Sequence, residues 1–578
     1  MSRTLVALFV VAACARGPRP ALVTTAETTQ YVQTGRYDEA IRLCHDFAQA
    51  YDRVRCDEIG KTGEGRPLLA LHIGRGEHPA IYIQAGIHAG EIEGKDAGFW
   101  FLRDLLDGKV APGALDAVDV VFIPVVNPDG HERFGPGNRP NQRGPAEMGF
   151  RTNDARLNIN RDYVKAETPE IQALLRAFNA FHPAVFVDLH TTDGAKFEHD
   201  ISINMAPLAP RGDKLDEAAG ALGRATLQRL TELGHMPVGF YPSFISNDDP
   251  ASGFAVSEAA PRFSHIYAGV RGRLGMLVET HSWRTYRERA QSTYHALQAI
   301  FETARQHAGE WAAAVAAAER ADQQLGGSDV TLFWDTGPRK TEIEFRGYAY
   351  RRTHSEISGR DWIVYDESKP EIWRVPLFDQ LVPKVTVHVP RAGYVVDGGF
   401  AKMIAAVLDR HGVRHVAVDG QPRAELAVFR AGKVSYQPQF EGHTPAVIEG
   451  AWTPETRTLE RGAIFVPIDQ PGARLAMHLL EPSLPDSLVQ WGLLNGVFER
   501  KEYMESYVAE QVARDLLAAD PKLQAAFDAA VAADPELAGS AFRRLDWFYR
   551  RSPAWDERVN LLPIYRADKP LPAAAPPR

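Results

Sequence analysis

Short apolar runs alternate with longer amphipathic stretches through the first 320 or so residues. Ala80–Gln84 (AIYIQ), Asp119–Val126 (DVVFIPVV), Ala184–Leu189 (AVFVDL) and Leu274–Glu279 (LGMLVE) are apolar without a two-residue alternation. Strands covered on both faces read that way. Between them, Tyr37–Tyr51, Glu91–Leu106, Thr168–Phe181 and Leu215–Leu233 repeat apolar positions at helical spacing. Residues 53–73 read as two strands around the turn Gly60–Gly65. The pattern predicts an α/β fold: a mixed, mostly parallel sheet flanked by helices.

A long helical stretch, Arg287–Gln324, then runs to Gly326-Gly327, and the texture changes. Residues 327–485 hold many short strands with Gly and Pro turns, and a βαβ-like unit between Lys384 and Val418. From about residue 486 the chain reads as mainly helical, and after Pro570 its composition is that of a disordered tail. The expected organisation is a leader and tether (1–30), an α/β domain (31–326), a β-rich α+β accessory domain (327–485) and a helical region (486–578). At 578 residues, several domains are expected.

Composition narrows function little: 45% hydrophobic, 24% charged and a net charge of -9 describe a soluble globular chain with no basic footprint for nucleic acid. The N-terminus says more. Leu5–Ala13 is a purely apolar run, too short for the roughly 20 residues that span a bilayer but suited to an export signal. Val11-Ala-Ala-Cys14 resembles a bacterial lipoprotein box, in which Cys14 is lipidated and tethers the chain to the envelope; a plain signal cleaved near Ala13 or Ala15 is the alternative. The expected location is periplasmic or lipid-anchored. Cys44 and Cys56 then remain as an even pair, a disulfide in an oxidising compartment or two buried thiols.

Candidate chemistry lies in separated islands at or near strand ends. Gly86-Ile-His88-Ala-Gly-Glu91 closes the first central strand, and an imidazole and carboxylate three residues apart suit Zn²⁺. Val126-Asn-Pro-Asp-Gly-His131 follows the next. Then come Gly149-Phe-Arg151, Leu157-Asn-Ile-Asn160-Arg161-Asp162, Val187-Asp-Leu-His190 and Leu277-Val-Glu279-Thr-His281. An acidic side chain ending an apolar strand, as Glu279 does, is costly unless it is paired or functional. Each island alone is a weak signal.

In combination and order, the islands over about residues 30–300 resemble the M14 family of zinc carboxypeptidases. The resemblance implies one Zn²⁺ held by His88, Glu91 and His190, with Glu279 as general base and Arg151 as the oxyanion's partner. It implies that Asn160 and Arg161 grip a terminal carboxylate. Of the residues in the right order to cover the substrate, Tyr267 is nearest, with Tyr241 the other candidate. It also implies an aspartate two residues before Asn160 to orient a zinc-bound histidine, and here that residue is Asn158.

Elementary chemistry agrees. Three protein ligands leave a fourth position for water, a nearby carboxylate takes its proton, and a guanidinium stabilises the oxyanion. A planar guanidinium also binds a carboxylate in bidentate fashion. The expected function is zinc-dependent removal of C-terminal residues from peptides or peptide-like envelope components, with no obligate protein partner. The alternatives are a zinc N-acyl amino acid deacylase, or a weakly active envelope protein that binds peptides or glycans.

Overall fold

The apolar runs become strands of one eight-stranded sheet in the computed structural model, which describes residues 21–192 and 194–573. Its strands are β1 (Val54–Lys61), β2 (Pro67–Ile73), β3 (Ala80–Ala85), β4 (Asp119–Ile123), β5 (Val185–Thr192), β6 (Ile201–Ala206) and β7 (Pro237–Val238); a short β8 (Phe254–Ala255) lies outside it, and β9 (Leu274–His281) completes it. The order is β1-β2-β4-β3-β5-β9-β6-β7. The four central strands, β4, β3, β5 and β9, are mutually parallel, and antiparallel pairings begin at β2 and β6. The sheet is mixed and flanked by helices, as the hydrophobic pattern predicts.

The central strands are buried along their whole length, which is why they lack alternation. Helices Tyr37–Ala50, Glu93–Leu106 and Tyr286–Asp322 pack on one continuous core that includes Phe99, Phe101, Leu102, Phe122, Leu297 and Phe301. Cys44 and Cys56 form a disulfide that ties the first of these helices to β1, with the Cα atoms 5.4 Å apart. Strand β3 connects outward to β4 on one side and β5 lies on its other side, so the strand order reverses at the β3–β5 boundary. Open α/β sheets place their binding crevice at such a point, beyond the carboxyl ends of the strands.

The chain divides into two compact units, one of residues 21–324 with 331–386 and 410–412, the other made mostly of 387–409 and 413–573. This differs from the boundary expected at residue 326. The segment 331–386 folds with the first unit, where Lys340–His354 and Asp361–Phe378 form a long antiparallel hairpin. The hairpin extends to β8 through Leu377 and Phe254, and its Phe345, Trp373 and Val375 bury against Phe197, Val238 and Phe254. These are large apolar side chains whose burial cannot be satisfied within a two-stranded hairpin alone.

The second unit is built on a six-stranded sheet whose core includes Val395, Val428, Phe465 and Tyr565. Helices Ser506–Ala519, Lys522–Ala533 and Ala541–Tyr549 pack around Ala513, Phe527 and Phe548. The last stretch is not wholly helical or irregular: Leu561–Ala567 inserts as an interior strand of the sheet. Among the described residues, no helix is long and apolar enough to cross a membrane. The apolar run Leu5–Ala13 and Cys14, read from the sequence as an export signal and lipid site, lie outside the described residues.

Candidate metal centre and substrate pocket

His88 and Glu91 sit in the loop that leaves β3, and the helix Glu93–Leu106 begins two residues after Glu91. The tight His88-Ala-Gly-Glu turn needs Gly90: a Cβ there would meet Arg139 Cγ at 2.6 Å and the Gly149 carbonyl oxygen at 2.7 Å. His190 projects from the carboxyl half of β5. The fold brings the three together, so that one ligand atom from each lies within 4.8 Å of the others. Both imidazoles present Nδ1 to the carboxylate: His88 Nδ1 is 3.0 Å from Glu91 Oε1, and His190 Nδ1 is 2.9 Å from Glu91 Oε2.

The opposite ring nitrogens are held as metal-bound histidines require. His88 Nε2 lies 3.1 Å from Asn158 Oδ1. His190 Nε2 lies 2.9 Å from Asp188 Oδ2, an ionic contact rather than an aligned hydrogen bond. Asp188 also accepts from the Ser264 hydroxyl.

Burial lowers His88 to about 4, so its ring is neutral and able to donate a lone pair. Burial pushes Glu91 upward. His88, the Arg139 guanidinium and the hydrogen bonds from both histidines outweigh it and hold the carboxyl well below its usual range. For His190, burial opposes the charged form, but Asp188 raises it well above the ordinary imidazole value. Two histidine side chains and an ionised carboxylate, all buried, are a donor set that fits Zn²⁺, with binding coupled to loss of the His190 proton.

Glu279 is the direct β-sheet neighbour of His190 across the β5–β9 pairing, and 6% exposed. It lines a cavity of about 400 Å³ together with His88, His190, Arg151, Asn160 and Arg161. The turn at Asn127 places Arg151: Asn127 accepts from the Gly130 amide at 2.9 Å and donates to the Arg151 carbonyl at 3.3 Å. Arg151 Nη1 then reaches within 3.5 Å of Glu91 Oε1. Arg161 donates to the Asn160 carbonyl at 2.9 Å, and its guanidinium lies 4.2 Å over the ring of Phe263, which fixes its direction. The rest of the cavity wall is largely apolar, with Phe240, Tyr241, Phe263, Ile266 and Leu277.

Seven of the eight residues singled out in the sequence therefore meet in one place. Tyr267 does not. It is fully buried on the helix Ser264–Val270, its ring tilted against Tyr163 and edge-on to Phe178, and its hydroxyl accepts from Arg271 Nη1 and donates to His411 Nδ1, both at 2.9 Å. The helix periodicity turns position 267 into the core, while Tyr241, on a loop and 41% exposed, lines the cavity instead.

Sequence reasoning also passed over Asp188 and Arg139. Asp188 carried a signal, because a buried acid two residues before His190 on a wholly apolar strand is costly without a partner. Arg139, 2.9 Å from Glu91 Oε1 and 8% exposed, sits in a polar loop with no periodicity to mark it.

Residues 41–197 match the family model described as zinc carboxypeptidase. This segment, about a quarter of the chain, is similar to the M14 zinc carboxypeptidases. The match ends shortly after His190 and so contains His88, Glu91 and His190, the candidate metal ligands. Carboxypeptidase A4 of Mus musculus is 36% identical over 102 residues, which cover 16% of this chain and 24% of that protein. The inactive metallocarboxypeptidase ECM14 of Saccharomyces cerevisiae is 32% identical over 140 residues, 20% of this chain and 33% of that protein. The chain thus spans between a quarter and a third of the length of these relatives. A metallo-carboxypeptidase structure from Burkholderia cenocepacia aligns at 20% identity and a TM-score of 0.35, covering 46% of this chain and 68% of that one.

Proposed function

We propose that this protein is a zinc-dependent carboxypeptidase that removes C-terminal residues from peptides. The reading is carried by one observation: the buried His88–Glu91–His190 cluster opens on a cavity whose lining includes Glu279, Arg151, Asn160 and Arg161. A zinc ion bound there supplies Lewis-acid polarisation of the scissile carbonyl and lowers the pKa of the attacking water. Glu279 takes the proton from that water and delivers it to the departing amine nitrogen. Arg151 donates to the oxygen that gains negative charge, and a donor of this kind is worth about 2.7–4 kcal/mol. Arg161, held over Phe263, and Asn160 bind the terminal carboxylate and so fix which bond is cut.

The apolar wall around the cavity favours neutral side chains on the departing residue. The Cys44–Cys56 disulfide supports export to an oxidising compartment, as does the apolar leader. We further propose a lipid tether at Cys14 and a peptide-like envelope substrate.

The test is hydrolysis of a panel of peptides with free and amidated C-termini, alongside N-acyl amino acids, with and without a zinc chelator. The reading expects chelator-sensitive release of single C-terminal residues from free peptides only. Equal cleavage of amidated peptides would remove the exopeptidase assignment. Turnover confined to N-acyl amino acids would replace it with deacylation.

A further inference from the structure

A second group of acidic ligands lies in the first unit, outside the zinc set. Asp129 stands in the short helix Pro128–Glu132, Asp154 in the loop after Arg151, and Glu170 in the first turn of the helix Pro169–Phe181. One carboxylate oxygen from each lies within 4.8 Å of the others. Asp154 is exposed and closes over Gly63, where a Cβ would meet its Oδ2 at 2.1 Å. Glu170 is 0% exposed.

The charges here are not balanced. Asp129 accepts from Thr62 Oγ1 at 2.8 Å, the Glu64 amide at 3.1 Å and Arg66 Nη1 at 2.5 Å. That same guanidinium also serves Glu64. Neither Asp154 nor Glu170 forms an ion pair among the described residues. Glu170 Oε2 has only Asn153 Nδ2 at 3.5 Å, and its Oε1 is buried with no hydrogen-bond partner. A buried carboxylate oxygen without a donor is a costly arrangement that a cation would relieve. Burial and the nearby Asp129 and Asp154 push Glu170 up to about 7.

We propose that Asp129, Asp154 and Glu170 form a binding site for Ca²⁺. All three donors are carboxylate oxygens, which suit a hard cation rather than zinc. The exposed side of Asp154 leaves room for the water ligands that complete six to eight coordination. The site joins four segments: the β1–β2 turn, through the bonds to Asp129, the turn after β4, the loop that runs from Arg151 through Asn158 to Arg161, and the first turn of the helix Pro169–Phe181. Bound Ca²⁺ therefore steadies the loop that supplies the proposed oxyanion and carboxylate partners.

The experiment is calorimetric titration of CaCl₂ into the full, zinc-loaded chain in calcium-free buffer, so that His88, Glu91 and His190 are already occupied. The expected result is one saturable site with a Kd at or below roughly 1 mM, in the range of extracellular calcium modules. Asp154→Asn and Glu170→Gln should each weaken it at least about ten-fold, as loss of a charged ligand does. Asp154 is exposed, so its variant leaves the core untouched and keeps the test decisive should Glu170→Gln fail to fold. No saturable heat up to about 10 mM Ca²⁺, or unchanged binding in Asp154→Asn, would overturn the site. Neither outcome depends on peptidase activity.

Discussion

The amide at position 158 offers a quantitative test of how the metal site is tuned. The two imidazoles have unlike partners behind them: Asn158 Oδ1 at 3.1 Å from His88 Nε2, and the Asp188 carboxylate at 2.9 Å from His190 Nε2. A hydrogen bond to a neutral acceptor contributes about 0.5–1.5 kcal/mol, and one to a charged acceptor about 1.5–3 kcal/mol. Asn158→Asp is nearly isosteric, so it changes charge without repacking. The difference of about 1 kcal/mol corresponds to roughly five-fold tighter zinc binding. The reverse change, Asp188→Asn, removes a charge from a side chain with 0% exposure that also serves Ser264. It should weaken zinc by about 10–100-fold. Competition against a fluorescent zinc chelator at fixed pH measures both. Weaker zinc binding in Asn158→Asp, together with no effect of Asp188→Asn, would show that these side chains do not orient the imidazoles.

Other expectations follow from the same geometry. Glu279→Gln should retain one zinc per chain by elemental analysis and lose about 10²–10⁴ in kcat, the range of a general base; turnover near wild type would take Glu279 out of that role. Arg161→Ala should raise KM by about 100-fold for free peptides, and a similar KM would remove it from the carboxylate clamp. Tyr267→Phe should leave kcat/KM unchanged and cost about 1–3 kcal/mol of stability through its lost bonds with Arg271 and the buried His411; a large kinetic effect would place it at the substrate after all.

Glu170 predicts a pH dependence in calcium-free buffer. Its folded-state value of about 7 lies above the ordinary glutamate value, so between the two the folded chain holds a proton that the unfolded chain has lost. Stability therefore falls as pH rises through that window, by about 3 kcal/mol in all, and is flat above it. Urea titrations should show this loss in the wild type relative to Glu170→Gln; parallel pH profiles would refute it.

The central strands were legible because burial on both faces leaves an unbroken apolar run, as in AVFVDL and LGMLVE. The candidate metal cluster was legible because its members lie at the ends of those strands: His88 and Glu91 after β3, and His190 at the carboxyl half of β5. What the sequence concealed depends on contacts between distant segments. Arg139 reaches Glu91 from an aperiodic loop, and no local pattern reports its direction. Tyr267 was misplaced because order along the chain does not say which face of the helix Ser264–Val270 turns inward. The strands of 340–378 look like an accessory domain by texture. Only the packing of Trp373 and Phe345 on Phe254 assigns them to the first unit. The orphaned oxygen of Glu170 is likewise invisible until three distant segments are brought together.

Diffraction from crystals of the zinc-loaded protein, recorded on both sides of the zinc absorption edge, bears most directly on the metal centre. One strong anomalous peak is expected, bounded by Nδ1 of His88, Nδ1 of His190 and the Glu91 carboxylate. An anomalous map with no peak among these three side chains, or with zinc held by other residues, would contradict it.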